Sequence, residues 1–281
     1  MQKWNLIIDV AKCENCHNCT LSSKDEHEGN DFPGYAAAQP RHGAEWIKIK
    51  RRVRGEGTMV EANYQPTMCN HCDDAPCLAA GVDGAVRKRD DGIVIIDPDK
   101  AKGRKDLVET CPYNAIHWNE ELQLPQVWIF DAHLLDQGWK APRCQQSCPT
   151  KAIEAVKITD GQMNARVARE KLRVLRPEFE AKPRVYYKNL HLMDTEFLGG
   201  SVQCRINDQI ECIEGAEVKL LRDNCELAKV MTDVFGDFKF DGLEPGSKDY
   251  TLKVSHPSYG SASVTADLPN SRYIDNILLE P

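Results

Sequence analysis

The 281-residue sequence contains no apolar run near the ~20 residues that a helix needs to cross a bilayer. It has no excess of positive charge. Its 36 Lys+Arg stand against 43 Asp+Glu, a formal net charge of -7, which disfavours generic nucleic-acid binding. The opening MQKWNLIIDVAKC lacks the long apolar core of a signal peptide, because Asp9 interrupts a short apolar stretch. A cytoplasmic protein without membrane association is the expectation. No Walker loop, dinucleotide fingerprint or nucleophile–base pair is present. Asp90-Asp91 and Glu120-Glu121 are carboxylate pairs that fall at expected turns, so no catalytic residue is assigned to this chain.

Cysteine is what the sequence has in excess. There are twelve, and nine lie at or before Cys148. Cys13, Cys16 and Cys19 are too closely spaced to be one another's disulfide partners in ordinary geometry. One loop that wraps several thiolates around a metal core requires such triplets.

The two-cluster ferredoxin loop is C-x2-C-x2-C-x3-C-P, in which three thiolates hold one cluster and the fourth serves the other. Four approximate copies can be laid on this chain. The first is Cys13, Cys16 and Cys19, with Ser23 in the fourth place. The second is Cys69, Cys72 and Cys77, with Gly81 in the fourth place. The third keeps only Cys111-Pro112, with Ala101, Arg104 and Leu107 where thiolates would stand. The fourth keeps Cys144 and Cys148-Pro149, with Trp128 and Asp131 at the spacing of a lost pair. Two triplets and two Cys-Pro endings make eight thiolates, enough for two complete four-ligand sites. The other two sites are dismantled. Asp131 and Ser23 are oxygen donors, but a cluster on them and Cys144 would lack a fourth ligand at Trp128, and iron–sulfur sites favour thiolates.

The four-loop pattern resembles the four-cluster ferredoxin subunits that partner molybdopterin enzymes of the dimethyl-sulfoxide-reductase superfamily. CNHCDDAPCLAAG, DGIVIIDPDKAKG, TCPYNAIHWNEE, AHLLD and KPRVYYKNL look like the small subunits of pyrogallol–phloroglucinol transhydroxylase and resorcinol hydroxylase. This resemblance covers nearly the whole chain. It implies nested pairing, first loop with fourth and second with third. Cluster one would then use Cys13, Cys16, Cys19 and Cys148, and cluster two Cys69, Cys72, Cys77 and Cys111. The spacing itself leaves the crossed pairing open. The resemblance also implies a heterodimer, or a higher assembly, with a large subunit. That subunit would carry molybdopterin guanine dinucleotide with Mo or W and would hydroxylate or transhydroxylate phenolic rings such as pyrogallol or resorcinol. Two [4Fe–4S] clusters here would serve local electron transfer or structural support. The alternatives are an electron-transfer subunit for a dehydroxylase or respiratory reductase, and a scaffold with redox-silent clusters. The transhydroxylase pattern usually keeps a third cluster at positions matching Ser23, Trp128 and Asp131, which here lack cysteine. A continuous electron wire therefore does not follow.

Blander readings compete at several positions. C-x2-C pairs bind zinc readily, but a third cysteine per loop and the Cys-Pro endings fit clusters better. Cys144 reads as a buried thiol, and Cys204, Cys212 and Cys225 as free thiols at no metal spacing. His17 and His71 read as ordinary loop residues, with hydrogen bonding to cluster sulfur the sharper alternative. Trp128 reads as apolar bulk in place of a lost cluster. Lys100, Lys102, Arg104 and Lys105 read as a solvated basic run, or more sharply as a docking patch.

The expected fold class is α+β: a ferredoxin-like iron–sulfur domain with insertions over residues 1–197, and a small antiparallel β-sandwich or barrel over 198–281. The resemblance types the latter as transthyretin-like or Cna-B-like. Strands are expected at 1–10, 46–53, 92–97 and 183–189, and a charged surface helix over 163–180. Gly199-Gly200 marks the expected boundary, and seven short strands should follow it.

Overall fold

A computed structural model describes residues 1–280. By density of internal contacts the chain forms two compact units. One comprises 1–51 and 64–190. The other comprises 52–63 and the residues from His191 onward.

The first unit is organised by the strand Gln2–Asp9 (QKWNLIID), buried from Trp4 to Ile8. Burial of both faces suits its nearly continuous apolar run. It pairs antiparallel with Ile153–Thr159 and parallel with Val185–Lys188. Ile7 packs with Met163 and Leu172, beneath the helix Asp160–Glu170. That helix begins at a capping box, in which the Thr159 hydroxyl accepts from the Gln162 N–H and the Gln162 side chain accepts from the Thr159 N–H.

The helix stops earlier than the expected 180. Lys171 takes a left-handed conformation and caps it, and Leu172 turns into the core. The charge pattern continues past 170, but the backbone bonding does not. A short 3-10 turn at Pro177–Phe179 is the remaining helical piece. The other three expected strands appear as Lys48–Glu56, Val94–Ile96 and Val185–Lys188.

The second unit contains two four-stranded sheets. Eight strands run between Glu196 and Leu279, one more than the seven expected, because Gln209–Cys212 adds a short edge strand. Most pairings are antiparallel. Glu196–Ile206 and Arg272–Leu279, however, run parallel, so the sandwich is not wholly antiparallel as expected. Alternating residues such as Leu198, Val202, Val218, Leu220, Leu252 and Val254 form its core. Burying each such side chain is worth about 1.5–3 kcal/mol.

Gly199-Gly200 is not a boundary but the middle of the Glu196–Ile206 strand. A Cβ at Gly199 would lie 2.3 Å from the Met59 sulfur, and one at Gly200 would lie 2.9 Å from the Phe238 ring. Close approach therefore accounts for this glycine pair.

Candidate iron–sulfur centres

Strand pairing decides which loops meet. The strand Gln2–Asp9 runs directly into the Cys13 loop, and Cys148-Pro149 runs directly into the strand Ile153–Thr159. These strands are antiparallel with Ile8 opposite Ile153, so both loops arrive at one end of the sheet. There Cys13, Cys16, Cys19 and Cys148 line one cavity, with Ile49, Pro66 and Ile153 as apolar walls. Cys69, Cys72, Cys77 and Cys111 line a second, walled by Val94, Ile96, Ile116 and Val127. The loops are thus brought together first with fourth and second with third.

The backbone within each group is alike. Asn15 and His71, each just before a second cysteine, have left-handed φ values of 55° and 46°. Both Cys-Pro endings carry the same hexapeptide pattern, CPYNAI at 111–116 and CPTKAI at 148–153. In each, the N–H four residues on donates to the cysteine sulfur: Ala115 to Cys111 at 3.4 Å and Ala152 to Cys148 at 3.3 Å. The His71 N–H donates to the Cys69 sulfur at 3.5 Å. The sequence reading overlooked these donors. The repeated C-P-x-x-A-I was the signal available for two of them.

Electrostatics sharpen the case. Burial, reinforced by neighbouring sulfurs, pushes the Cys72 thiol up to about 12 and Cys77 to about 11, while Cys69 lies well above its ordinary value. Burial likewise raises Cys19 to about 11, and it raises Cys13 with a further contribution from Cys148. Neighbouring thiols whose ionisation burial already opposes need a cationic core among them to ionise together. An iron–sulfur core supplies that charge, and the sulfur donors with their N–H partners fit it.

His71 is fully enclosed. Its Nδ1 accepts from the Val94 N–H at 3.1 Å, so the imidazole nitrogen on the Cys69 side is not a donor to sulfur. Burial pulls its pKa down to about 3. Its contribution to the cage is therefore the backbone N–H. His17 has a left-handed φ of 59° and precedes the helix Asn18–His27.

The dismantled cages are filled by protein. At the third-loop positions Ala101 and Leu107 are fully buried, and Arg104 donates to the Ala80 carbonyl at 3.0 Å and to Asp106. A Cβ at Gly81 would lie 2.5 Å from Val86. Half of the basic run is thus engaged inside the chain, since Lys105 also pairs with Glu120.

Trp128, Asp131 and Cys144 of the fourth loop are all buried, as is Ser23 at the end of the first. Trp128 stacks on Phe130 with ring centroids 4.9 Å apart, and its ring lies 5.5 Å from that of His71. Asp131 accepts from the Arg143 N–H at 2.7 Å and lies 3.6 Å from His27 Nε2. Burial, then the Asp131 charge, drives the Cys144 thiol well above its ordinary value. The residue before each second-cysteine position keeps its left-handed twist even here, with φ of 78° at Gly103 and 57° at Phe130.

Cys204 is buried in the sandwich core, and Cys212 and Cys225 are exposed; all three are free thiols. No helix among the described residues is long and apolar enough to cross a membrane.

Residues 60–158 match the 4Fe-4S dicluster domain family. The chain is 43% identical over 270 residues to the pyrogallol hydroxytransferase small subunit of Pelobacter acidigallici, covering 95% of this chain and 96% of that protein. The protein belongs to that small-subunit family. It is an iron–sulfur subunit of the molybdoenzyme oxidoreductase type, with a ferredoxin-type 4Fe–4S domain. Other relatives match a smaller share of the chain. A tetrathionate reductase subunit of Salmonella typhimurium is 30% identical over 195 residues, covering 67% of this chain and 73% of that protein. A component of the Escherichia coli anaerobic dimethyl sulfoxide reductase is 28% identical over 152 residues, covering 54% and 72%.

Proposed function

We propose that this small subunit carries two [4Fe–4S] clusters, one on Cys13, Cys16, Cys19 and Cys148 and the other on Cys69, Cys72, Cys77 and Cys111. The observation that carries the reading is the convergence of four cysteines on each of two cavities. The chain pairs with a large subunit that holds molybdopterin guanine dinucleotide with Mo or W and does the chemistry on phenolic rings such as pyrogallol or resorcinol. Similarity over nearly the whole chain to a pyrogallol hydroxytransferase small subunit supports this. This chain supplies no catalytic residue. Its role is to hold the clusters for electron exchange with the large subunit, in the cytoplasm and without membrane or nucleic-acid contact. The C-terminal unit is a sandwich of transthyretin-like or Cna-B-like type.

When bound, each cluster offers a one-electron couple. The chain keeps each cage dry on its apolar side and aims N–H groups at sulfur, which favours charge on the thiolates. The filled third and fourth sites favour local exchange over a long wire. A second reading, electron transfer for a respiratory reductase, draws on the relatives named as reductase subunits.

Iron and acid-labile sulfide in the co-purified complex test the proposal. About eight irons per chain are expected from two four-iron clusters. About four, or zinc in their place, would refute it. Electron paramagnetic resonance after adding phenolic substrate to the complex separates redox-active clusters from silent ones.

A further inference from the structure

The two cysteine cages differ in what lies behind them. Cavity one counts the exposed carboxylate Glu14 among its lining residues. Cavity two has no charged lining residue, but a lysine stands behind its loop. Lys88, at the end of the short strand Val86–Lys88, sends its ammonium to the His71 carbonyl at 2.9 Å, the Cys72 carbonyl at 2.8 Å and the Asp73 carboxylate at 2.8 Å. Three acceptors match the three N–H donors of an ammonium. A neutral amine has only two, so the geometry requires the charged form.

Further fastenings of loop two come from the segment after 180, besides the Val94 N–H that donates to His71 Nδ1. The Arg184 N–H donates to the Asn70 carbonyl at 2.8 Å, and the Asp73 N–H donates to the Lys182 carbonyl at 2.9 Å. The Arg184 guanidinium also pairs with Asp73, and with Asp160 at 2.9 Å. Lys3 reaches Asp160 at 3.0 Å and Asp73 at 3.7 Å. Three cations thus face Asp73 and Asp160, and Lys182 pairs with Asp74 at 2.7 Å, which leaves these groups with one net positive charge.

We propose that Lys88 is a positioning residue for cluster two, holding its loop shut and raising its reduction potential; among the described residues no lysine is hydrogen-bonded in this way to the loop of cluster one. This rests on the two-cluster reading above. The physical ground is simple. Reduction adds one electron, and so one negative charge, to a group already ringed by thiolates. A fixed ammonium bonded to the ligand loop favours the more negative state. The same charge favours the Cys72 and Cys77 thiolates, although burial and neighbouring sulfurs outweigh it there.

The test is a mediated redox titration of the complex followed by electron paramagnetic resonance, with iron counted in every sample. A Cys111→Ala chain, which retains only cluster one, assigns the signals. Lys88→Met should lower the potential of cluster two and leave that of cluster one in place. Lys88→Arg should restore most of the shift, and Asp73→Asn should move cluster two upward. Opposite signs for Lys88→Met and Asp73→Asn are what charge demands and what loop loosening alone would not give. An unmoved cluster two in Lys88→Met, or equal shifts at both clusters, would overturn the proposal. If Lys88→Met sheds the iron of cluster two, Asp73→Asn decides: an upward shift supports the role, and no shift or a downward one rejects it. A wild-type iron count near four would instead refute the two-cluster reading itself.

Discussion

Two cages in this chain kept their cysteines and two lost most or all of them, yet all four loops kept one left-handed turn. The residue before each second-cysteine position is left-handed in every loop: Asn15, His71, Gly103 and Phe130. What differs is the interior. The intact cages are lined mainly by sulfur and apolar side chains, with Glu14 and Thr150 at the first and Asn70 and His71 at the second. The dismantled ones hold a buried indole stacked on Phe130 in one case, and in the other Leu107 beside a half-buried arginine bonded to the Ala80 carbonyl. The comparison teaches that a cluster loop can lose its metal while its turn survives, provided that side chains replace the lost volume.

The harshest way to break the comparison is to remove one cysteine from each kind of cage. Cys111→Ala should remove about four of eight irons, since one cluster loses a ligand and the thiols of Cys69, Cys72 and Cys77 lose their common partner. Cys144→Ala should remove none, although Cys144 is the more deeply buried thiol. Equal iron loss in both variants would show that the fourth-loop site still binds metal. The reverse experiment restores thiolates: Ser23→Cys, Trp128→Cys and Asp131→Cys together with native Cys144 should raise the count by about four irons. Unchanged iron in that variant would mean that the surviving turn at Phe130 is not a cluster turn.

The cysteine cages were legible in the sequence because metal ligation demands both a residue type and a spacing. The pairing of the loops was not, since spacing says nothing about which loops meet. That information lies in the strand register of Ile8 against Ile153. The losses at Ala101, Arg104, Leu107, Trp128 and Asp131 were readable as absences. Their replacements depend on neighbours distant in sequence, such as His71 beside Trp128 and the Ala80 carbonyl beside Arg104. Local pattern misled where tertiary contacts overrode it. The helix ends at Glu170 because Leu172 is drawn toward Met163 and Ile7. Gly199-Gly200 reads as a break, but it admits Met59 and Phe238 against a continuous strand.

Smaller effects sharpen the same contrast. Trp128→Ala leaves a cavity where the indole stacks on Phe130, and should cost about 3–5 kcal/mol in stability without loss of iron. Thermal melts paired with iron analysis check this, and loss of iron together with stability would tie the plug to the clusters. Gly81→Ala places a methyl 2.5 Å from Val86 in the other dismantled cage. Overpacking there should cost about 1–3 kcal/mol by the same measurement. No cost would mean that the cage still has room.

The mildest test compares the two halves just after their matched hexapeptides. CPYNAI is followed by His117 and CPTKAI by Glu154, which sits in an exposed ion pair with Arg166. Burial, and then the nearby Lys48 charge, pulls His117 down to about 4. A base with a lowered native pKa binds its proton less readily when folded. The unfolded chain, near 6.5, therefore takes up more protons between the two values. Stability from this group is complete above pH 6.5 and drains away as pH falls toward 4. His117 is partly exposed, so the loss between pH 6.5 and 5 is discounted to about 1 kcal/mol. His117→Asn should remove that part of the slope, whereas Glu154→Gln should leave it in place. Denaturant unfolding at the two pH values reads the difference directly. A slope that survives in His117→Asn would mean that the half holding Cys111 is no more sensitive to mild acid here than the half holding Cys148.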